Sequence, residues 1–158
     1  MTLEDLANVG EFLGGLAVIV SLVYLAIQIR QNTRSVRAAT FQAVADSISE
    51  LGFRLGVDPA HGRVFVAGLQ ADGSLSEDEQ RQFHFMLLTG TRRFENAYLQ
   101  WRSGVLSDEQ VEGFRNGNAR ILRSPGGPAW WPIWRDHFTV PFREFVDREQ
   151  ARSHDTGT

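Results

Sequence analysis

The chain has 158 residues, a net charge of -3 and no cysteine. That length allows one modest core beside one membrane segment. The charge excludes binding to nucleic acid by overall attraction, and the missing thiol excludes disulfides, cysteine-ligated zinc, iron–sulfur clusters and thiol catalysis.

The first element in chain order is an apolar run, Phe12 to Ile29, of eighteen residues without a charge. As a helix it measures about 27 Å, slightly short of a hydrocarbon core of about 30 Å. A preceding turn at Asn8, Val9 and Gly10 and snorkelling by Arg30 make up the difference. The run therefore predicts a single transmembrane helix. A core helix of a soluble protein is the plainer alternative, but it rarely runs so far without a charge. Glu4, Asp5 and Glu11 precede the run, whereas Arg30, Arg34 and Arg37 follow it. The positive-inside rule then places the N-terminus outside and the remainder in the cytoplasm. A cleaved signal peptide fits poorly, because the flank before the run is acidic and no small-x-small site follows it.

Gly10, Gly14, Ala17 and Ser21 recur at four-three-four spacing, on one stripe of that helix. Small residues let helix backbones approach closely, so the stripe predicts self-association or docking on another membrane protein. The competing reading is that Gly and Ala are simply common in membrane helices. The same seam continues through Tyr24, Gln28, Gln31, Ser35, Ala38, Gln42 and Ala45.

Past Arg30 the pattern is helical throughout, with no sustained two-residue alternation. The first helix is predicted to continue to Gly52 or Gly56, with Val36, Ala39, Ala43, Val44, Ile48 and Leu51 on its apolar face. Asp58 and Pro59 open a second helix, ended by Ala71-Asp72-Gly73. Ser76 and Glu79 form a capping box for a third, running to Arg102 and closed by Gly104. A second box, Ser107 and Gln110, opens a fourth. Ser124 to Pro128 reads as a turn, followed by short helices near Ala129–Asp136 and Pro141–Arg148. The expected organisation is 1–29 for the N-terminal segment and span, 30–150 for a cytoplasmic helical domain, and 151–158 for a disordered polar tail. The fold class is all-α: one transmembrane helix continuous with a small helical bundle.

Motifs of known chemistry are missing. The histidines His61, His84, His137 and His154 are scattered, with no Glu-x-x-His pair, so no metal and no cofactor is expected. Without Lys there is no phosphate loop of the usual form, and no Gly-x-Ser-x-Gly elbow occurs. Arg92, Arg93, Glu95 and Arg102 form a possible anion or partner surface. Glu95 reads more plainly as the structural partner of Arg92, or of Arg102 further along the helix. Trp130, Trp131 and Trp134 form a possible aromatic pocket, with Phe138, Phe142 and Phe145 after them. They either clamp the C-terminal helices onto Phe94, Tyr98 and Trp101, lie at a membrane surface, or line a ligand site.

Three stretches together, Ile29-Arg30-Gln31-Asn32-Thr33-Arg34, Phe94-Glu95-Asn96-Ala97 and Ser124-Pro125-Gly126-Gly127-Pro128-Ala129-Trp130-Trp131, resemble a widespread set of short, uncharacterised bacterial single-span proteins. The resemblance covers residues 5 to 147. It implies a bacterial inner-membrane address, but neither an activity nor any functional residue.

The leading expectation is a membrane-anchored, non-enzymatic interaction or regulatory protein. Its partners are the lipid bilayer and a second copy or another membrane protein, with no nucleic acid. An oligomeric pore lined from Gly10 to Gln28, with Arg30 as a basic ring, is the alternative. A small enzyme built on His84, Glu95 and Arg92 is a third.

Overall fold

The computed structural model describes residues 2–155, and among them every element is helical, with no strand. The chain divides into two units, Met1–Ala39 and Thr40–Thr158. The first holds most of α1 (Leu3–Val57), a long helix whose N-terminal part is apolar. Thr2 and Asp5 cap its start reciprocally. The Asp5 amide donates to Thr2 Oγ1 (3.2 Å), and the Thr2 amide donates to the Asp5 carboxylate (2.8 Å). That backbone donor, aided by the hydroxyl, holds the Asp5 carboxyl below its ordinary range.

The second unit packs the end of α1 with α2 (Pro59–Gln70), α3 (Glu77–Arg102), α4 (Asp108–Leu122), α5 (Gly127–Trp134), a 3-10 turn (Arg135–His137) and α6 (Val140–Asp155). The caps do what the local sequence dictates. Asp58 accepts from the amides of Ala60 (2.9 Å) and His61 (3.3 Å), with Pro59 at the first position of α2. The Ser76/Glu79 and Ser107/Gln110 boxes both close reciprocally. After α2 the chain turns through Ala71 and Gly73 at positive φ (51° and 75°), and after α3 through Gly104 (75°).

Helix α3 packs against α2, α4 and α6. Its buried residues Phe83, Leu87, Thr91, Phe94 and Tyr98 recur every three to four positions, with Glu95 and Ala97 beside them, so one stripe faces the core along its length. Val44, Val64, Val111, Leu122, Trp130, Trp131 and Phe142 fill the same core from the other helices. Glycine allows its closest approach: a Cβ on Gly68 would lie 2.3 Å from the Phe83 ring, and one on Gly126 would lie 2.1 Å from the Gly68 carbonyl oxygen. The Gly126 amide donates to the Leu69 carbonyl across that contact (2.9 Å).

Three boundaries differ from expectation. The turn at Ser124 is shorter, because α5 already begins at Gly127; Pro128 in the first helical turn has no amide bond to lose there. Helix α6 runs to Asp155, five residues into the expected disordered tail, since no Gly or Pro interrupts that stretch; residues 156–158 lie outside the described residues. The packing face of α1 starts at Phe41 and continues through Val44 and Ile48, whereas Val36, Ala39 and Ala43 are exposed.

Candidate functional site

In the first unit the apolar run is wholly exposed. Phe12 is 72% exposed and Leu25 51%, and Leu16, Ile19, Val20 and Val23 lie between these values or close to them. The polar side chains within the run look after themselves. Ser21 Oγ donates to the Ala17 carbonyl (2.8 Å), and Gln28 Nε2 donates to the Tyr24 hydroxyl (2.7 Å). Gly10, Gly14, Ala17 and Ser21 are all exposed, and a Cβ on Gly10 or Gly14 would meet nothing within 4 Å. Arg30, Arg34 and Arg37 follow, also exposed.

Arg92, Arg93, Glu95 and Arg102 do not form one surface. Glu95 is 3% exposed. One of its oxygens takes the Arg92 guanidinium and the other accepts from the Thr139 amide (2.7 Å). Arg92 also donates to the His137 carbonyl, and its guanidinium lies 4.7 Å above the Phe138 ring. Together the pair clasps the three residues that lead into α6. Thr139 is the residue before that helix, so the carboxylate also sits near its positive end. Arg93 turns to another neighbour, the Ser47 carbonyl, with Glu50 at 3.6 Å. Arg102 pairs with neither; its guanidinium lies 6.0 Å from the Tyr98 ring centre.

His84 stands apart from Glu95. Eleven residues along one helix separate them by about 16 Å, too far to act on one bond. His84 is half-buried against the rings of Phe83 and Trp134, and its Nε2 lies 3.0 Å from the Gln80 amide. Burial pushes its pKa down, favouring the neutral ring. Among the described residues no group of three or more His, Asp or Glu side chains could hold a metal ion.

The tryptophans divide between core and rim. Trp130 and Trp131 are buried, and Trp134 is partly so. Trp131 Nε1 donates to Asp147 (2.8 Å), which also takes Arg135. The Trp131 ring meets Phe138 and Phe142, and Phe142 in turn meets Phe94 and Tyr98. Trp134 stacks on Trp130 and reaches His84 and Phe85. This is the geometry of a clamp from α5 and α6 onto α3.

Sequence reasoning missed the acceptors and donors that complete these contacts: Thr139 for Glu95, Asp147 for Trp131, and Pro141, whose carbonyl accepts from the Tyr98 hydroxyl (3.0 Å). No periodicity marks a backbone amide or carbonyl as the partner of a side chain forty residues away. No protein-family model, no curated protein and no solved structure matches the chain.

Proposed function

We propose that this is a single-span membrane protein of the bacterial inner membrane whose helical unit works in the cytoplasm as a non-enzymatic interaction module. The observation that carries the reading is the run Phe12–Ile29: eighteen residues, helical, uncharged and apolar. A helix in lipid must satisfy its polar groups internally, and the bonds of Ser21 and Gln28 within α1 meet that demand. Acids before the run and arginines after it favour the outside-to-inside direction.

Association through the stripe follows from the same geometry. Gly10, Gly14, Ala17 and Ser21 leave a shallow strip on which a second helix backbone can lie close. The partner is a second copy of this chain or another membrane protein. The buried Glu95, committed to Arg92 and Thr139, supports a structural and not a catalytic use of that carboxylate.

Cysteine crosslinking in native membranes tests the reading, and the natural chain has no cysteine to interfere. Gly14→Cys and Ala17→Cys are expected to form crosslinked species in the membrane fraction, and Ile19→Cys, on the opposite face of the helix, is expected to form few. A chain that crosslinks equally from both faces, or stays strictly monomeric with nothing co-purifying, overturns the association. A chain recovered in the soluble fraction overturns the membrane address.

A further inference from the structure

The second unit holds a cavity of about 180 Å³, partly open to solvent, between the end of α1 and helices α2, α3 and α4. Its walls are mostly apolar, with Ile48, Leu51, Phe65 and Phe114 among them. An engineered apolar cavity of about 150 Å³ accepts benzene, so this one has room for a single ring.

Two observations separate it from a packing fault. The first is Thr91, which lines the cavity, is 1% exposed and has no hydrogen-bond partner for its hydroxyl. Elsewhere in the chain Ser21 and Thr33 satisfy their hydroxyls on the carbonyl four residues back. Thr91 does not, and an unpaired buried hydroxyl is unfavourable. The second is the pair Gly113 and Gly117, inside α4 and also on the cavity wall. A Cβ at either position would meet nothing within 4 Å. Glycine weakens a helix interior relative to alanine, so packing alone favours alanine at both sites. Both are exposed, so they stand on its open side, where the missing methyls leave the mouth unobstructed.

Arg93 reaches the same cavity, but its guanidinium is already committed to the Ser47 carbonyl and faces Glu50. The charge at this wall is balanced, which favours a neutral guest. We propose that the cavity binds a small neutral molecule, one aromatic ring in size, whose single hydrogen-bonding group pairs with Thr91 Oγ1.

Fluorine NMR titrations of the full chain in lipid nanodiscs, corrected against empty nanodiscs, test this with 4-fluorophenol, fluorobenzene and 4-fluorobenzoate as probes. Saturable binding of the phenol is expected, about tenfold tighter than fluorobenzene, with no saturable binding of the benzoate. Thr91→Val, which keeps the shape, should remove the preference for the phenol and leave fluorobenzene unchanged. The double variant Gly113→Ala, Gly117→Ala should bind both rings at least tenfold more weakly and melt at a higher temperature. No saturable binding by the native chain, tighter binding of the benzoate, undiminished binding by the double variant, or a phenol preference that survives Thr91→Val each overturns the proposal.

Discussion

Glu95 and Thr139 stand 44 residues apart in the chain, yet a 2.7 Å hydrogen bond joins the Glu95 carboxylate to the Thr139 amide. The carboxylate thereby fastens α3 to the start of α6, and the Arg92 guanidinium holds its other oxygen. A buried carboxylate is stable only when its charge and lone pairs are met, and both partners are needed to meet them.

Removing that carboxylate should therefore read as a loss of stability. Glu95→Ala strips a buried, charge-assisted contact and leaves the Thr139 amide without its acceptor. The expected loss is about 2–3 kcal/mol, at the lower end for such pairs because Arg92 is half exposed. Glu95→Gln keeps an acceptor for Thr139 and should lose about half as much. Urea unfolding in mild detergent measures both; equal losses in the two variants would show that the amide contact contributes little.

Acid should weaken the fold in two stages. Burial lowers the His84 pKa from its ordinary 6.5, so the unfolded chain takes up this proton first. Stability from His84 is fully present above pH 6.5 and is lost as pH falls through the lower folded value. Glu79 is lowered by the Ser76 amide and Asp58 by the His61 amide, in each case the largest cause. Their contributions are present above the ordinary carboxylate range and are lost on descending through and below it. Melting temperatures followed from pH 8 to pH 3 check the order. His84→Gln should flatten the first stage alone, and Glu79→Gln should reduce only the second.

Glycines with opposite surroundings should respond oppositely to alanine. At Gly68 the new methyl meets the Phe83 ring at 2.3 Å, so Gly68→Ala should destabilise by about 1–3 kcal/mol. At Gly117 it meets nothing within 4 Å, so Gly117→Ala should stabilise by about 0.5–1 kcal/mol. Thermal unfolding compares the two, and the same sign for both would contradict the packing described.

A charge at the middle of the apolar run should weaken membrane retention. Val20 lies near the centre of Phe12–Ile29, and Val20→Arg adds about 3 kcal/mol to the insertion free energy on the biological scale. The alkali-resistant membrane fraction should fall sharply. Lys in place of Ile29, at the basic edge, should change it little, because that side chain can snorkel. Indifference to Val20→Arg would argue that the run never enters lipid.

Much of the second unit could be read before any coordinates. The caps at Asp58, Ser76 and Ser107 depend on residues within three positions of each other, and each forms as the local pattern implies. The core stripe of α3 is equally local, being a matter of helical period. Phe41 shares the packing face of α1 with Val44 and Ile48, three and seven residues on, whereas Val36, Ala39 and Ala43 of the expected apolar face remain exposed. Arg92, Arg93, Glu95 and Arg102 share a helix, and that nearness in sequence suggests one surface. Their partners lie on different elements, so the group dissolves into a clasp on residues 137–139, a tie to Ser47 and a contact with Tyr98.

What the chain settles on its own is therefore whatever a single turn or a single helix can decide: where helices start and stop, which face is apolar, and that one eighteen-residue stretch carries no charge. Those depend on neighbours in sequence, so local hydrogen bonding and side-chain periodicity suffice. Tertiary structure decided the rest. It buried Trp130 and left Trp134 at the rim, matched Glu95 to an amide 44 residues away, and left a ring-sized space beside Thr91. Burial and empty volume belong to several helices at once, and they exist only when those helices are packed.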